Sequence, residues 1–170
     1  MGLPHFQACR GARTGFVFIC PGRFEATRGF PCAAGTGANL ARALLVLNER
    51  LPSYFPSPLR ELYVITNSWD RVEYMALTQR SVPTLNEVLE NGNLERLAAE
   101  VASLEVIVAC GAHAQAAVRA LADRGVIHAR QAFARHLSQR SVNMIPGASD
   151  TPGRIGVWCD GVVAQLLNPA

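Results

Sequence analysis

Gly15-Phe16-Val17-Phe18-Ile19-Cys20 is an apolar run that stops abruptly at Pro21-Gly22. Arg23-Phe24-Glu25 follows, then a second turn at Gly29-Phe30-Pro31, then Gly35-Thr36-Gly37 opening an apolar stretch that reaches Leu47. A buried strand ended by a Pro-Gly corner delivers its last side chains to the carboxyl edge of a sheet, where open α/β folds place their ligands. Glycines there let backbone approach a ligand, and a helix start beside them offers free N–H groups to an anion. The chemistry of this chain is expected in this stretch.

Outward from it, strand and helix patterns alternate. Residues 38–51 carry Leu40, Ala43, Leu44, Leu47 and Leu51 at helical spacing. Pro52, Pro56 and Pro58 then enforce a loop. Residues 61–66, with Leu62, Tyr63, Val64 and Ile65, predict a second strand ending at Asn67. The mixed stretch 68–83 reads as a long connection, and 84–103 as a helix whose place for a break is Asn91-Gly92-Asn93. A third strand is predicted over 104–110, and a helix over 113–124 closed by Gly125. Residues 132–137 predict a short fourth strand, and 156–167 a last helix or a strand followed by one. Apolar strands separated by helices mean a parallel sheet covered on both faces. One domain is expected: a three-layer α/β/α sandwich around a central, mainly parallel sheet of about four strands.

Composition narrows the function classes. At 170 residues, 49% hydrophobic and 17% charged, the chain can bury a full core and is not disordered. No apolar run approaches bilayer length, and residues 1–13 lack the apolar centre of a secretion signal, so a cytoplasmic protein with no membrane partner is expected. All 16 basic residues are arginine, and the net charge is +3. Arginine suits bidentate phosphate contacts, but so small an excess is no nucleic-acid footprint by itself, and a GC-rich coding bias accounts for the same arginine and alanine usage. The five cysteines include no Cys-x-x-Cys pair, so neither a zinc ribbon nor an iron–sulfur framework is supported. Cys110 and Cys159 read as core cysteines.

Four strand ends should share one edge of the sheet: Cys20-Pro21-Gly22, Thr66-Asn67-Ser68, Cys110-Gly111-Ala112 and His136-Leu137-Ser138. The pattern Pro21-Gly22-x-x-Glu25-x-x-x-Gly29-x-Pro31, then Gly37 and Leu40, resembles the first motif of the uracil-DNA glycosylase superfamily, most nearly its thermostable bacterial and archaeal branch. Tyr63-Val64-Ile65-Thr66-Asn67 resembles the segment ending in the asparagine that reads the pyrimidine edge. Val106 to Ala112 is similar to the family's strand and Gly-Ala turn, and His136-x-Ser138 sits where the family has His-Pro-Ser. The likeness spans Gly15 to about Asn143. It departs at Ile19, where that branch has an acidic residue, and at Cys20, near which other branches hold the attacking water with Asp or Asn. Cys32 replaces the aromatic that stacks on the flipped base, Leu137 replaces the motif proline, and the branch's four cluster cysteines are missing.

The resemblance implies roles for particular residues. His136 would donate to the oxyanion of a departing base, against the plain reading of a surface or capping histidine. Asn67 would pair with a base edge, against an Asx-turn or helix cap. Glu25 either orients water or holds the loop through Arg23 or Arg28. Cys20 is either a reactive thiol or a small residue filling a strand end. Pro21, Gly22 and Ser138 would join the substrate pocket, with Phe24 or Phe30 stacking on the base. Arg23, Arg28, Arg135 and Arg140 either contact phosphates or face solvent.

Three functions follow as expectations. The first is a DNA glycosylase that extrudes a damaged or deaminated base from a single strand or a flipped site, acting as a monomer and requiring no metal or cofactor. The second is a glycosylase-fold protein that has lost the chemistry and binds DNA, a nucleobase or a nucleotide. The third is a flavodoxin-like nucleotide-binding domain using Gly35-Thr36-Gly37, though the chain has no lysine for a phosphate loop.

Overall fold

The computed structural model describes residues 2–168. Its elements are β1 (Thr14–Phe18), α1 (Arg23–Arg28), α2 (Gly35–Arg50), β2 (Val64–Asn67), α3 (Met75–Thr78), α4 (Leu85–Val88), α5 (Asn91–Val101), β3 (Val106–Cys110), α6 (Ala112–Asp123), β4 (Arg130–Ala134), α7 (Gln139–Asn143) and α8 (Thr151–Leu167). The strands form one parallel sheet in the order β2-β1-β3-β4. From β1 the chain first builds outward to β2, then returns to the other side for β3 and β4. This reversal makes a crevice at the carboxyl ends beside β1, the usual ligand position in such sheets. The register sets Phe18 beside Asn67, so the ends of β1 and β2 lie level.

The period-two alternation of the strands builds the two outer layers. Phe16, Phe18, Ile65, Val108 and Ala132 pack with Leu40, Leu44 and Leu47 of α2 and Ile155, Trp158 and Val162 of α8. Val17, Val64, Ile107 and Ala109 pack with Leu94, Leu97 and Val101 of α5 and Ala114, Val118 and Leu121 of α6. The result is the expected three-layer α/β/α sandwich.

Both sheet edges are covered, which satisfies backbone groups that would otherwise pair with another chain. Gln7 pairs antiparallel with Ile65 on the β2 edge through bonds of 2.8 and 3.1 Å. On the β4 edge the Gln165 carboxamide accepts from the Phe133 N–H at 2.9 Å and donates to the Phe133 carbonyl at 3.0 Å.

Several boundaries differ from the sequence reading. β1 ends at Phe18 because the Phe18 and Ile19 carbonyls accept from the backbone N–H groups of Ser68 and Trp69, at 2.8 and 3.0 Å, as the chain turns into the Pro-Gly corner. β4 ends at Ala134 rather than Leu137. After its carbonyl accepts from Gly111 N–H at 2.9 Å, the chain bends and Asn39 Nδ2 takes the Leu137 carbonyl at 2.9 Å. α1 was not expected, since it buries no residue and so shows no apolar periodicity. The 84–103 helix divides at Leu89-Glu90, just ahead of the anticipated break. α8 starts earlier, at Thr151, because Asp150 accepts from Gly153 N–H at 2.8 Å and Pro152 occupies the first turn. The C-terminal turn of α6 closes on Gly125 at φ +67°, as the sequence indicated. Among the described residues no helix is long and apolar enough to cross a membrane.

Candidate functional site

At the carboxyl edge, beside the ends of β1 and β2, a cavity of about 180 Å³ is lined by Phe18, Cys20, Gly22, Glu25, Cys32, Thr36, Asn67 and His136. Five of these were candidates from the sequence, and elements far apart in the chain bring them together. A larger hollow of about 330 Å³ lies at the opposite, amino edge. Its Arg13 is paired with Glu105 and its Thr14 hydroxyl donates to the Tyr54 carbonyl, so it offers less uncommitted chemistry.

His136 follows the bend after β4. Its Nδ1 accepts the Ser138 backbone N–H at 3.0 Å, which places the ring proton on Nε2. Phe18 packs edge-on to the ring, with centroids 5.6 Å apart. Burial pulls the imidazole down to about 4, opposed only by the nearby Glu25 carboxylate. At neutral pH His136 is an uncharged donor facing the cavity. Asn39, fully buried on α2, anchors this bend through the Leu137 carbonyl. An asparagine in the apolar row of Leu40, Ala43 and Leu44 was the signal that sequence reasoning passed over.

Asn67 ends β2 and is only 2% exposed. Its Nδ2 donates to the His5 carbonyl at 3.1 Å, and among the described residues no group donates to its Oδ1. Its backbone carbonyl accepts from Arg96 at 3.0 Å. Arg96 and the Thr66 hydroxyl both donate to Glu100, which also bonds His5. This network fixes the amide from behind.

Glu25 lies in the first turn of α1. Its Oε2 accepts from Gly22 N–H at 3.0 Å and its Oε1 from Ala33 N–H at 2.9 Å. The carboxylate therefore ties the Pro-Gly corner to the loop before α2. It holds the loop through backbone N–H groups, not through Arg23 or Arg28; Arg28 instead donates to the Ala33 carbonyl. Glu25 is the only carboxylate among the cavity-lining residues.

Cys20 takes the plainer of its two readings. Its thiol is pushed up to about 12 by burial first and by Glu73 and Glu25 next, and lies 3.6 Å from the Ser81 carbonyl. A thiol so placed stays protonated at neutral pH and is no nucleophile. Cys32 holds the left-handed conformation at φ +53°. Arg60 secures that turn by donating to the Pro31 and Cys32 carbonyls at 2.6 and 2.8 Å. A Cβ on Gly37 would stand 2.0 Å from the Cys32 oxygen, so Gly37 serves this close approach rather than a phosphate loop. The first turn of α2 reaches the cavity at Thr36, with no side chain capping the helix start.

Other expected roles are corrected. Phe24 and Phe30 lie outside the cavity, 57% and 41% exposed: α1 turns Phe24 to solvent, and Phe30 stands on the loop beyond the helix end at Arg28. Phe18 supplies the aromatic wall instead; its place at the end of an apolar strand made it read as core. Ser138 contributes its N–H to His136 and its Oγ to the Ser141 N–H as the cap of α7, and does not line the cavity. Pro21 acts through its carbonyl, which accepts from Glu73 N–H at 2.9 Å. Arg23, Arg28, Arg135 and Arg140 are exposed and form no ion pair among the described residues.

The 68–83 connection is more ordered than its composition suggested. Glu73, 4% exposed, accepts from Trp69 Nε1 at 3.0 Å and from Arg80 at 2.9 and 2.5 Å. Arg80 reaches on to Glu87 at 2.7 and 3.0 Å. The same Glu73 backbone holds Pro21, so this cluster braces the corner. Among the described residues no group of three or more His, Cys, Asp or Glu side chains is placed to hold a metal. No protein-family model matches the sequence, and no curated protein matches it.

Proposed function

We propose that this protein hydrolyses the N-glycosidic bond of a damaged or deaminated base flipped out of DNA. The observation that carries the reading is a neutral His136 with its proton on Nε2, lining one small cavity with the uncommitted Oδ1 of Asn67. When the C1′–N bond breaks, its electron pair leaves with the base and collects on a base carbonyl oxygen. A fixed donor at that oxygen stabilises the charge as it develops. The Nε2–H of His136 suits this role, and the start of α2 at Thr36 adds a positive helix end.

Asn67 supplies recognition. With one amide hydrogen on the His5 carbonyl, it offers an acceptor beside the remaining hydrogen. That pair complements a lactam edge, N–H next to C=O, as in uracil, hypoxanthine and xanthine. Cytosine and adenine present the reverse pattern and leave a buried acceptor facing an acceptor. A water adding to C1′ completes the reaction. Its proton goes to Glu25, the cavity's carboxylate, and then to solvent, while the base anion takes up a proton to leave neutral. Arg23, Arg28, Arg135 and Arg140 would grip phosphates around the flipped nucleotide, giving affinity that falls with salt by roughly 0.7–0.9 log units per log unit for each phosphate neutralised.

Incubating the protein with single and duplex strands carrying uracil, hypoxanthine or xanthine, then cleaving abasic sites with alkali, tests the reading. Strand cleavage at any of these bases supports it; none at any of them sinks it. A binding protein without turnover is the second reading. The protonated Cys20 at the β1 end and the two backbone bonds on Glu25 favour it. Activity created from nothing by Cys20→Asp would support that reading, and activity in the wild type would end it.

A further inference from the structure

We infer that the exposed rings of Phe24 and Phe30 form a stacking platform for the bases that flank the one in the cavity, which makes a single strand the preferred partner. This rests on the reading above only in taking a DNA strand as the ligand. α1 lies against the cavity through Gly22 and Glu25, yet buries no residue. Its Phe24 is 57% exposed, and Phe30, two residues before the cavity-lining Cys32, is 41% exposed. The two exposed rings thus lie within seven residues of each other, in a segment whose Gly22, Glu25 and Cys32 line the cavity.

Charge complementarity identifies what covers them. Arg23 adjoins Phe24, Arg28 lies two residues before Phe30, and neither has a carboxylate partner among the described residues. Arg28 gives an N–H to the Ala33 carbonyl, which holds its head near the loop. Alternating rings and guanidinium groups without carboxylate partners match the alternation of base and phosphate along a strand. An acidic protein surface offers carboxylates to the arginines but no regular succession of flat ring faces to Phe24 and Phe30. Phe30 is also preorganised: the Arg60 guanidinium lies 5.6 Å from its ring centre while holding the Pro31 and Cys32 carbonyls. In a duplex the flanking bases are stacked on each other and their faces are closed to Phe24 and Phe30, so the platform distinguishes single from double strands.

The test compares undamaged oligodeoxycytidylate, whose bases present the pattern that Asn67 rejects, with an abasic strand of equal length and charge, using the full chain and fluorescence anisotropy at low salt. The deoxycytidine strand should bind about tenfold tighter for each ring engaged. Phe24→Ala and Phe30→Ala should each lower that preference about tenfold while leaving the salt dependence and the circular-dichroism spectrum unchanged, and Phe24→Tyr should keep it. Arg23→Ala should lower affinity for both strands alike. Equal affinity of the wild type for the two strands, binding to neither, or phenylalanine variants that change only self-association would overturn the platform. Because neither strand contains a target base, the outcome is separate from base release. A wild type that releases base but ignores the cytosine rings loses only the platform, and one that stacks cytosine but never releases base loses only the glycosylase.

Discussion

Lowering the pH should expose the burial of His136 in both titration and stability. An ordinary imidazole near 6.5 is about 90% protonated at pH 5.5, whereas His136, pulled down to about 4, is about 3% protonated there. As pH falls below 6.5 the unfolded chain binds the proton first, so folding weakens with each step down. The loss continues until the folded pKa near 4 and then levels off. The gap corresponds to at most about 3 kcal/mol, less whatever solvent screening the cavity mouth allows. The assay pairs imidazole proton NMR, with His136→Gln assigning the resonance, and urea unfolding at pH 7.5, 5.5 and 4.5. Wild type should lose more stability than His136→Gln across that range, and base release should persist well below pH 6. A His136 resonance titrating at or above 6.5, or equal losses in the two proteins, would refute the argument.

The bracing groups give two further expectations. Glu73→Gln removes a carboxylate that Arg80, then Thr78 and Trp69, hold down at about 2. It should cost roughly 1–3 kcal/mol in urea unfolding at pH 7. In the wild type this contribution is present above pH 4.5 and disappears as pH falls toward 2, so the variant should lack that acid step. Asn39→Ala leaves the Leu137 carbonyl without its side-chain donor. It should cost roughly 1–3 kcal/mol and, by freeing the His136 bend, lower kcat more than it changes KM.

The sequence reveals most where burial enforces a pattern. β1, β2 and β3 read as apolar runs because a parallel sheet covered on both faces leaves no polar alternation. β4 was placed late because it is a half-buried edge strand, Arg130 to Ala134, with only Ala132 fully buried. α1 left no apolar trace because none of Arg23 to Arg28 is buried. In the site, Cys20, Gly22, Glu25, Asn67 and His136 were legible as polar or small residues at strand ends and corners. Phe18 was not, since a core phenylalanine and a cavity wall look identical in sequence. The bonds that hold the site together were equally hidden. Asn39 to Leu137, Arg60 to Cys32 and Asn67 to His5 join a side chain to a distant backbone carbonyl, and a carbonyl carries no residue-specific signal.

The most direct measurement is single-turnover release of free base from a uracil-containing single strand, with protein in excess, by wild type and His136→Ala side by side. If a neutral Nε2–H at the departing base is the main source of catalysis, wild type should yield free uracil and an abasic strand. The variant should then bind the strand equally well and release base roughly 100-fold or more slowly, the usual loss for one oxyanion donor. Bound strand with no free base from wild type, or equal rates from both proteins, would contradict the account.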